Sequence, residues 1–358
     1  MRRIILGSLL ALFVLLQAGC QTVIVNGKRL EGMAGVHSMR SDDPANRTYW
    51  AKDIYSGNRD STRQIDGNTE QHDPFRIKYH PSYSANRWMA VEGSLGNGRK
   101  YPVILDTGAS IALFVNDIHV MENKLAISPI NSGDDDSVGW GRCHLPELHL
   151  GQVTVANWPC FYREQHTEIQ LLGLALARGK AIIAGLPALR SFKYVAFDSI
   201  SEEVELSLDE AFQPEQPNLW TQYPFEIEED LGGNAFLFVK IPIAGAETEL
   251  QLDTGSGKGL AISEELWEKV RQNVPPIKLR RGRDLYPYIG SLWCKRGVIP
   301  ELGVGSRTVT NAKISVFPND SLIVDGCSGM LGMQYFQDTA IVLDFERDLM
   351  WVENSPSR

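Results

Sequence analysis

Residues 101–110 of the chain read YPVILDTGAS, and residues 248–257 read TELQLDTGSG. Both segments are apolar, strand-like runs that end in Asp-Thr-Gly, with the aspartates at Asp106 and Asp253. An ionisable side chain is costly where the preceding residues predict a buried strand, so its occurrence there needs a chemical reason. The two copies indicate one structural unit used twice.

The repeat extends well beyond these two segments. PELHLGQVTVAN, which starts at Pro146, matches PELGVGSRTVTN, which starts at Pro300. Further on, IIAGLPALRSF matches GMLGMQYFQDT, and the aligned glycines Gly185 and Gly332 each lie 79 residues after the aspartate of their own copy. β-Branched and aromatic residues separated by glycine turns recur in both copies, which is typical of β-strands.

The repeat predicts a mostly β, bilobal chain. Residues 21–75 are polar and turn-rich, show no sustained period of 2 or 3.6, and predict a tether or irregular cover, with a prosegment as the alternative. Helical patterns occur only at residues 117–124 and 264–272. The lobe boundaries are expected at residues 76–208 for the first lobe, 209–222 for the connector and 223–358 for the second lobe.

The residues around each aspartate suit a rigid loop that presents a carboxylate. Glycine permits a tight turn with close backbone approach, and the threonine hydroxyl can hydrogen-bond locally. One such tripeptide occurs easily by chance, whereas two with the same flanking pattern and the same downstream glycine are a strong signal. The candidate catalytic residues are Asp106 and Asp253, and the candidate supporting residues are Thr107, Gly108, Ala109, Thr254, Gly255 and Ser256.

With these motifs the chain resembles the pepsin-like and retroviral-type aspartic proteases. VILDTGAS is similar to the retroviral motif and LQLDTGSG to the pepsin motif. AIIAG and GMLGM resemble the hydrophobic-hydrophobic-Gly segments that pack behind the catalytic loops of that family. The resemblance covers both lobes and the connector. It implies the bilobal acid-protease fold, with a cleft between two pseudo-symmetric, β-barrel-like lobes.

The resemblance also implies an aspartic endopeptidase that acts on a polypeptide substrate. Asp106 and Asp253 would share one proton and hold one water molecule between them. One carboxylate would take a proton from this water as it attacks the scissile carbonyl, and the other would donate a proton to the carbonyl oxygen. This chemistry requires neither a cofactor nor a metal ion, and the seven scattered histidines are interpreted as ordinary polar residues.

The family pattern assigns supporting roles to other parts of the two halves. Thr107 and Thr254 would brace the two catalytic loops against each other. A flexible hairpin closes the cleft in this family, and residues 137–141 and 286–291 are the two candidates for it.

The residue that follows Asp-Thr-Gly differs between the halves, being Ala109 in the first and Ser256 in the second. A hydroxyl there can donate a hydrogen bond to its own carboxylate and so favour the ionised form. We therefore expect support of this kind for Asp253 and not for Asp106. Such a pair is expected to keep its shared proton to higher pH than a pair with two hydroxyls.

The first twenty residues resemble a bacterial lipoprotein signal. Arg2 and Arg3 precede an apolar run over residues 4–16, and small residues lead to Cys20. As a helix this run is only about 20 Å long, which is short of the roughly 30 Å hydrocarbon core of a bilayer. We predict lipidation of Cys20 and anchoring in the bacterial envelope, with Gln21 indicating the outer membrane facing the periplasm. An ordinary secretory signal is the alternative.

Export places the other four cysteines in an oxidising compartment, where disulfides form. Cys143 and Cys160 lie symmetrically about an expected hairpin turn at residues 151–152, so antiparallel pairing would set them face to face. We expect a bridge between these two residues and a second one between Cys294 and Cys327. Four buried thiols are the alternative.

Composition narrows the range of functions. A hydrophobic content of 43% is enough for large cores. A net charge of −9, without a Lys/Arg run that could neutralise a row of phosphates, argues against nucleic acid as a partner. Because both half-sites lie in one chain, we expect a monomer. Two alternatives stay open: a catalytically silent envelope lipoprotein that binds peptide or protein in the same cleft, and two half-sites that each pair with another chain.

Overall fold

A computed structural model provides the structure of the chain. It describes residues 23–24, 64–67, 74–81, 88–96, 98–130, 140–151, 153–163, 168–171, 174–178, 180–208, 210–229, 234–286, 290–321, 323–324 and 327–354. Cys20, and with it the predicted signal, lies outside the described residues.

The first half of the chain is built mainly from β-strands. Its elements are β1 Val23–Ile24, β2 Gln64–Gly67, β3 Phe75–Lys78, β4 Ala90–Leu95, β5 Lys100–Asp106, β6 Leu113–Asn116, α1 Asp117–Asn123, β7 Ile127–Ile130, β8 Trp140–Leu150, β9 Val153–Arg163, β10 Glu168–Leu171, β11 Leu174–Arg178, β12 Ile182–Gly185, α2 Leu186–Leu189, β13 Tyr194–Asp198 and β14 Glu203–Ser207.

The second half repeats this composition. Its elements are β15 Trp220–Glu229, β16 Ala235–Lys240, β17 Glu249–Asp253, β18 Leu260–Ser263, α3 Glu264–Val270, β19 Arg280–Tyr286, β20 Gly290–Val304, β21 Arg307–Phe317, β22 Gly329–Gly332, β23 Ala340–Asp344 and β24 Leu349–Glu353. Short 3-10 turns lie at Pro217–Leu219, Arg271–Asn273 and Met333–Phe336.

Each half closes its strands into a barrel-like lobe. In the first lobe the hydrogen-bonded order β4-β5-β12-β6-β9-β8 returns to β4 and forms a ring. In the second lobe β16-β17-β22-β18-β21-β20 follows the same order, and a bridge between Ile243 and Val304 joins the last strand back toward the first. The predicted mostly β, bilobal fold is confirmed.

A six-stranded antiparallel sheet joins the two lobes beneath the barrels, in the order β3-β14-β13-β23-β24-β15. Three of these strands come from each half of the chain. At its centre β13 pairs with β23, with Ala196 opposite Val342. Because every neighbouring pair in this sheet is hydrogen-bonded, the lobes are held at a defined distance from each other.

Both predicted helices are present, and each has a local reason to begin where it does. Asn116 caps α1 by accepting a hydrogen bond from Ile118 N–H, and His119 completes a reciprocal capping box. Ser263 caps α3 through Leu266 N–H. In α3 the buried residues are Leu266, Trp267 and Val270, which share one face of the helix.

The interpretation of residues 21–75 as irregular missed two short strands. β1 pairs with β10, and β2 pairs with β9 in antiparallel register from Gln64 opposite Ala156 to Gly67 opposite Val153. Segments this short carry too few residues to show an alternating pattern. Their strand conformation depends on a partner more than 80 residues away, which no local periodicity records.

The predicted disulfides are wrong. Cys143 and Cys160 do face each other between β8 and β9, but their sulfur atoms are 3.1 Å apart, against about 2.05 Å for a disulfide. The Cys160 thiol also donates to the carbonyl oxygen of Cys143 at 3.3 Å. Cys294 is buried on β20, whereas the half-buried Cys327 directs its thiol toward the carbonyl oxygen of Ile323. The described cysteines therefore form no disulfide.

The described helices are short. Within the residues that the structure describes, none combines the length and the apolar character needed to cross a bilayer.

Candidate active site

The two aspartates occupy equivalent positions at the ends of β5 and β17. Asp106 lies opposite Gly185 of the parallel strand β12, and Asp253 lies opposite Gly332 of the parallel strand β22. The apolar runs that precede each aspartate fill the two barrels, since Leu105 and Leu252 are almost fully buried. Each carboxylate is thus presented where a buried strand leaves its barrel.

The residues that directly follow β12 and β22 fix the backbones of the two catalytic loops. Leu186 N–H donates to Ala109 O at 2.9 Å, and in the second lobe Met333 N–H donates to Ser256 O at 2.9 Å. A side chain at Gly332 would place its Cβ 2.5 Å from the carbonyl oxygen of Lys258, which is too close for any other residue. The aligned glycines are therefore required by close backbone packing.

Reciprocal hydrogen bonds tie the two loops together across the lobe boundary. Thr107 N–H donates to Thr254 Oγ1 at 3.0 Å, and Thr254 N–H donates to Thr107 Oγ1 at 3.1 Å. Each hydroxyl also donates to a carbonyl of the opposite lobe at 2.6 Å, Thr107 to Leu252 O and Thr254 to Leu105 O. Both threonines are completely buried, so water does not compete for these four bonds.

The tied loops bring the two carboxylates against each other. A Cβ added at Gly108 would lie 2.7 Å from Asp253 Cγ, and one at Gly255 would overlap the carboxylate of Asp106. Gly108 N–H also donates to Asp106 Oδ1 at 2.8 Å. The absence of side chains at Gly108 and Gly255 is what lets each carboxylate approach the opposite loop.

The electrostatics of the pair favour a single shared proton. Burial raises the pKa of both carboxyl groups, and the charge of Asp106 adds to this effect at Asp253, whose pKa lies well above its ordinary value. At Asp106 hydrogen bonds from Asp253 and from Gly108 N–H offset part of the rise in pKa. The two carboxyl groups therefore titrate as one pair that keeps a single shared proton to a higher pH than an isolated carboxyl would.

The Ser256 hydroxyl lies next to this pair, and its Oγ atom accepts a hydrogen bond from Lys258 N–H at 3.3 Å. At Asp253 hydrogen bonds from the backbone of Gly255 and Ser256 lower the pKa, but burial and the charge of Asp106 raise it more strongly.

The flap candidates adjoin two pairs of antiparallel strands. β7 pairs with β8 and β19 pairs with β20. Most of the first candidate, residues 137–141, and residues 287–289 of the second lie outside the described residues. Tyr286, at the base of the second candidate, is buried.

Sequence reasoning missed one group of residues beside the second catalytic loop. Lys258 Nζ lies 3.7 Å from the centre of the Tyr286 ring and 3.5 Å from Asp284 Oδ2. The available signal was the contrast between Ile111 and Lys258, each five residues after its aspartate. In the described part of the chain, no group of three or more His, Cys, Asp or Glu side chains is arranged to hold a metal ion.

No family model matches the sequence, and no curated protein sequence matches it. Among solved structures, the aspartic proteinase from Irpex lacteus is similar at a TM-score of 0.45 and 12% identity, over 78% of this chain and 97% of that chain. Basic 7S globulin from soybean is similar at a TM-score of 0.42 and 10% identity, over 79% of this chain and 94% of that chain. Identities this low say nothing of activity, so the function is argued from the geometry of the site.

Proposed function

We propose that the chain is an aspartic endopeptidase that hydrolyses peptide bonds of a polypeptide substrate with Asp106 and Asp253. The observation that carries this proposal is the meeting of two carboxylates on loops that the Thr107 and Thr254 hydrogen bonds lock together. Both half-sites come from one chain, which supports a monomeric enzyme over half-sites that need a second chain.

Within this proposal we assign a role to each aspartate, since burial and the charge of Asp106 both raise the pKa of Asp253. Ionised Asp106 accepts a proton from a water molecule as the water oxygen attacks the scissile carbonyl carbon. Protonated Asp253 donates its proton to the carbonyl oxygen, which yields a tetrahedral diol and leaves the pair with one proton in total. Collapse of this diol breaks the C–N bond as the leaving nitrogen takes up the proton held by Asp106 and one diol hydroxyl returns a proton to Asp253. The carboxyl and amine products separate, and the pair again carries one proton.

The proposal is tested by incubating the purified chain from residue 21 onward with an unfolded protein substrate. We expect cleavage that a statine-containing peptide inhibits, because the statine hydroxyl mimics the tetrahedral intermediate. Binding of the statine peptide without any cleavage would instead favour the catalytically silent, peptide-binding alternative.

The pH dependence of kcat/KM reports the shared proton. Activity requires one proton on the pair, so kcat/KM is expected to be bell-shaped, with an alkaline limb displaced upward because the pKa of Asp253 is raised. Ala109→Ser adds a hydrogen-bond donor for Asp106. In this proposal Asp106 is ionised both in the active, singly protonated pair and in the fully ionised pair, so the added donor stabilises both forms equally. This variant should therefore move the acidic limb to lower pH and leave the alkaline limb in place.

Ser256→Ala provides the matched control for the pH experiment. It removes a hydroxyl beside Asp253, which in this proposal becomes charged only when the pair loses its last proton. Loss of the hydroxyl should raise the pKa of that step, so the alkaline limb should move to higher pH. An alkaline limb that shifts in Ala109→Ser and not in Ser256→Ala would show that Asp106 is the protonated member.

We also propose that the protein is a lipoprotein of the bacterial envelope, anchored through Cys20 in the outer membrane and facing the periplasm. The support is the sequence of the first 21 residues alone. Fractionation of cells that produce the wild type and Cys20→Ser tests this proposal. We expect the wild type in the outer membrane with an acyl group on its N-terminal cysteine, and an unlipidated Cys20→Ser; a wild type without acylation would contradict it.

A further inference from the structure

The two catalytic loops differ in charge at one equivalent position. Five residues after the aspartate, the first loop carries Ile111 and the second carries Lys258. The backbone of Lys258 is fixed, because Gln334 N–H donates to its carbonyl oxygen at 3.0 Å. The lysine side chain therefore leaves the catalytic loop at a defined point on the second-lobe side of the pair.

The ammonium group of Lys258 is buried but incompletely paired. Its Nζ atom contacts the face of Tyr286 and lies 3.5 Å from Asp284 Oδ2, which is longer than a hydrogen bond of good geometry. The Asp284 carboxylate is shared with two further groups, accepting from Ser315 Oγ at 2.5 Å and pairing with Arg296 Nε at 3.5 Å. One carboxylate thus serves two cations.

Two hydrogen-bond donors meet here with little to accept from them. Lys258 Nζ and Tyr286 Oη are both buried; Tyr286 Oη has no hydrogen-bond partner among the described residues, and Lys258 Nζ has the Asp284 carboxylate at 3.5 Å. Burial raises the pKa of Tyr286, with the charges of Asp284 and Asp253 adding to it, so the phenol stays protonated and donates. Lys258 belongs to the loop that carries Asp253, because its backbone N–H donates to Ser256 Oγ at 3.3 Å, so these donors lie on the second-lobe side of the catalytic carboxylates.

The surroundings of the two donors are positively charged. Residues 278–296 contain six lysines and arginines and one acidic residue, Asp284, in a chain whose net charge is −9. On the outer face of this hairpin, Arg281 and Arg283 stack on the half-exposed ring of Trp293 at 4.2 and 4.1 Å. This local field attracts negatively charged segments of a polypeptide toward the second-lobe side of the cleft.

We propose that Lys258 and Tyr286 form an acid-selective subsite, which takes a glutamate or aspartate side chain of the substrate beside the scissile bond. The proposal rests on the proposed peptidase function for the placement of the substrate. Lys258 Nζ supplies charge and a donor, and Tyr286 Oη supplies a second donor. A carboxylate bound there accepts both hydrogen bonds. It also adds a second negative charge where Asp284 alone faces the two cations Lys258 and Arg296. The first loop offers only Ile111 at this position, so the preference is confined to one side of the cleft.

The test uses statine-centred peptides that carry either Glu or Gln at each of four positions flanking the statine, with binding measured by calorimetry. At one position we expect the wild type to bind the Glu peptide about tenfold more tightly than the Gln peptide, since a carboxylate accepts stronger hydrogen bonds than an amide. The ratio of the affinities for the Glu and Gln peptides should fall to about one in Lys258→Met and persist in Lys258→Arg. In the wild type it should also decrease as ionic strength rises.

Lys269→Met is the matched control, because Lys269 is an exposed lysine of α3 that pairs with Glu265 outside the cleft. It should keep the wild-type ratio. The subsite would be overturned if the wild type and Lys258→Met showed the same Glu/Gln ratio of affinities. It would also be overturned if the wild type preferred the Glu peptide at none of the four positions. Because binding is measured without turnover, a wild type that prefers Glu peptides but cleaves no substrate would overturn the peptidase function and leave the subsite standing.

Discussion

Asp106→Asn and Asp253→Asn are each expected to lower kcat/KM by about 10³-fold or more, because general acid–base catalysis of this kind contributes up to about 10⁴-fold and each variant removes an essential proton acceptor or donor. Asparagine has nearly the same shape as aspartate, so the loops and their threonine bonds stay in place. The measurement is kcat/KM on one peptide for the wild type and both variants.

The stability of the same variants separates lost chemistry from lost folding. A carboxyl whose folded-state pKa is raised supports folding at low pH, and this support is lost as pH rises through the raised pKa. At neutral pH the negative charge that the buried pair carries therefore costs stability. We expect Asp253→Asn to melt at the same or a higher temperature than the wild type at neutral pH, with the difference shrinking toward pH about 4.

Asp198→Asn serves as a control for the aspartate substitutions. Asp198 also ends an apolar strand, β13, but its carboxylate accepts bonds from Ile200 N–H and Ser201 Oγ on the surface. This variant should retain activity. Substantial activity in Asp106→Asn or Asp253→Asn, at the level of Asp198→Asn, would rule out a shared catalytic pair.

Thr254→Val is expected to lower the free energy of unfolding by about 2–6 kcal/mol. The substitution removes the acceptor of Thr107 N–H and the donor to Leu105 O, and an unsatisfied buried polar group costs about 1–3 kcal/mol. Because the loops then lose their register, kcat/KM should also fall by about 10²-fold. Urea unfolding and kcat/KM are measured on the same preparation.

Thr254→Ser is the matched control for this second prediction, because it keeps the hydroxyl that makes both bonds and loses only a methyl group. It should stay close to the wild type in activity and lie well above Thr254→Val in stability. Equal losses in Thr254→Ser and Thr254→Val would mean that packing of the methyl group, and not the hydrogen bonds between the loops, holds the site together.

Both aspartates were recognisable from the sequence because their signal is local and occurs twice. An apolar run, an acid and a glycine within eight residues define a strand end and its turn. The second copy, with its glycine 79 residues further on, removes the ambiguity of a single short motif. The helix at Asp117–Asn123 was equally accessible, since its cap and its apolar face lie within one stretch of chain.

Other features depend on distances between residues that are far apart in sequence. Symmetry about a turn correctly set Cys143 opposite Cys160, but only the coordinates show that the two sulfur atoms stay 3.1 Å apart. The raised pKa values of the aspartate pair likewise follow from burial and mutual repulsion, which the neighbouring Ala109 and Ser256 do not reveal.

By itself the sequence determined the duplicated β unit, the two lobes and the identity of the paired carboxylates, because strand periodicity, turn residues and a repeat are properties of neighbouring residues. The tertiary structure alone decided how Thr107 and Thr254 exchange hydrogen bonds, that burial raises the pKa of both aspartates, and that Lys258 meets Asp284 and Tyr286. These facts arise where separate segments are packed within a few ångströms, and at that range burial, charge and hydrogen-bond geometry depend on atoms that the local sequence does not contain.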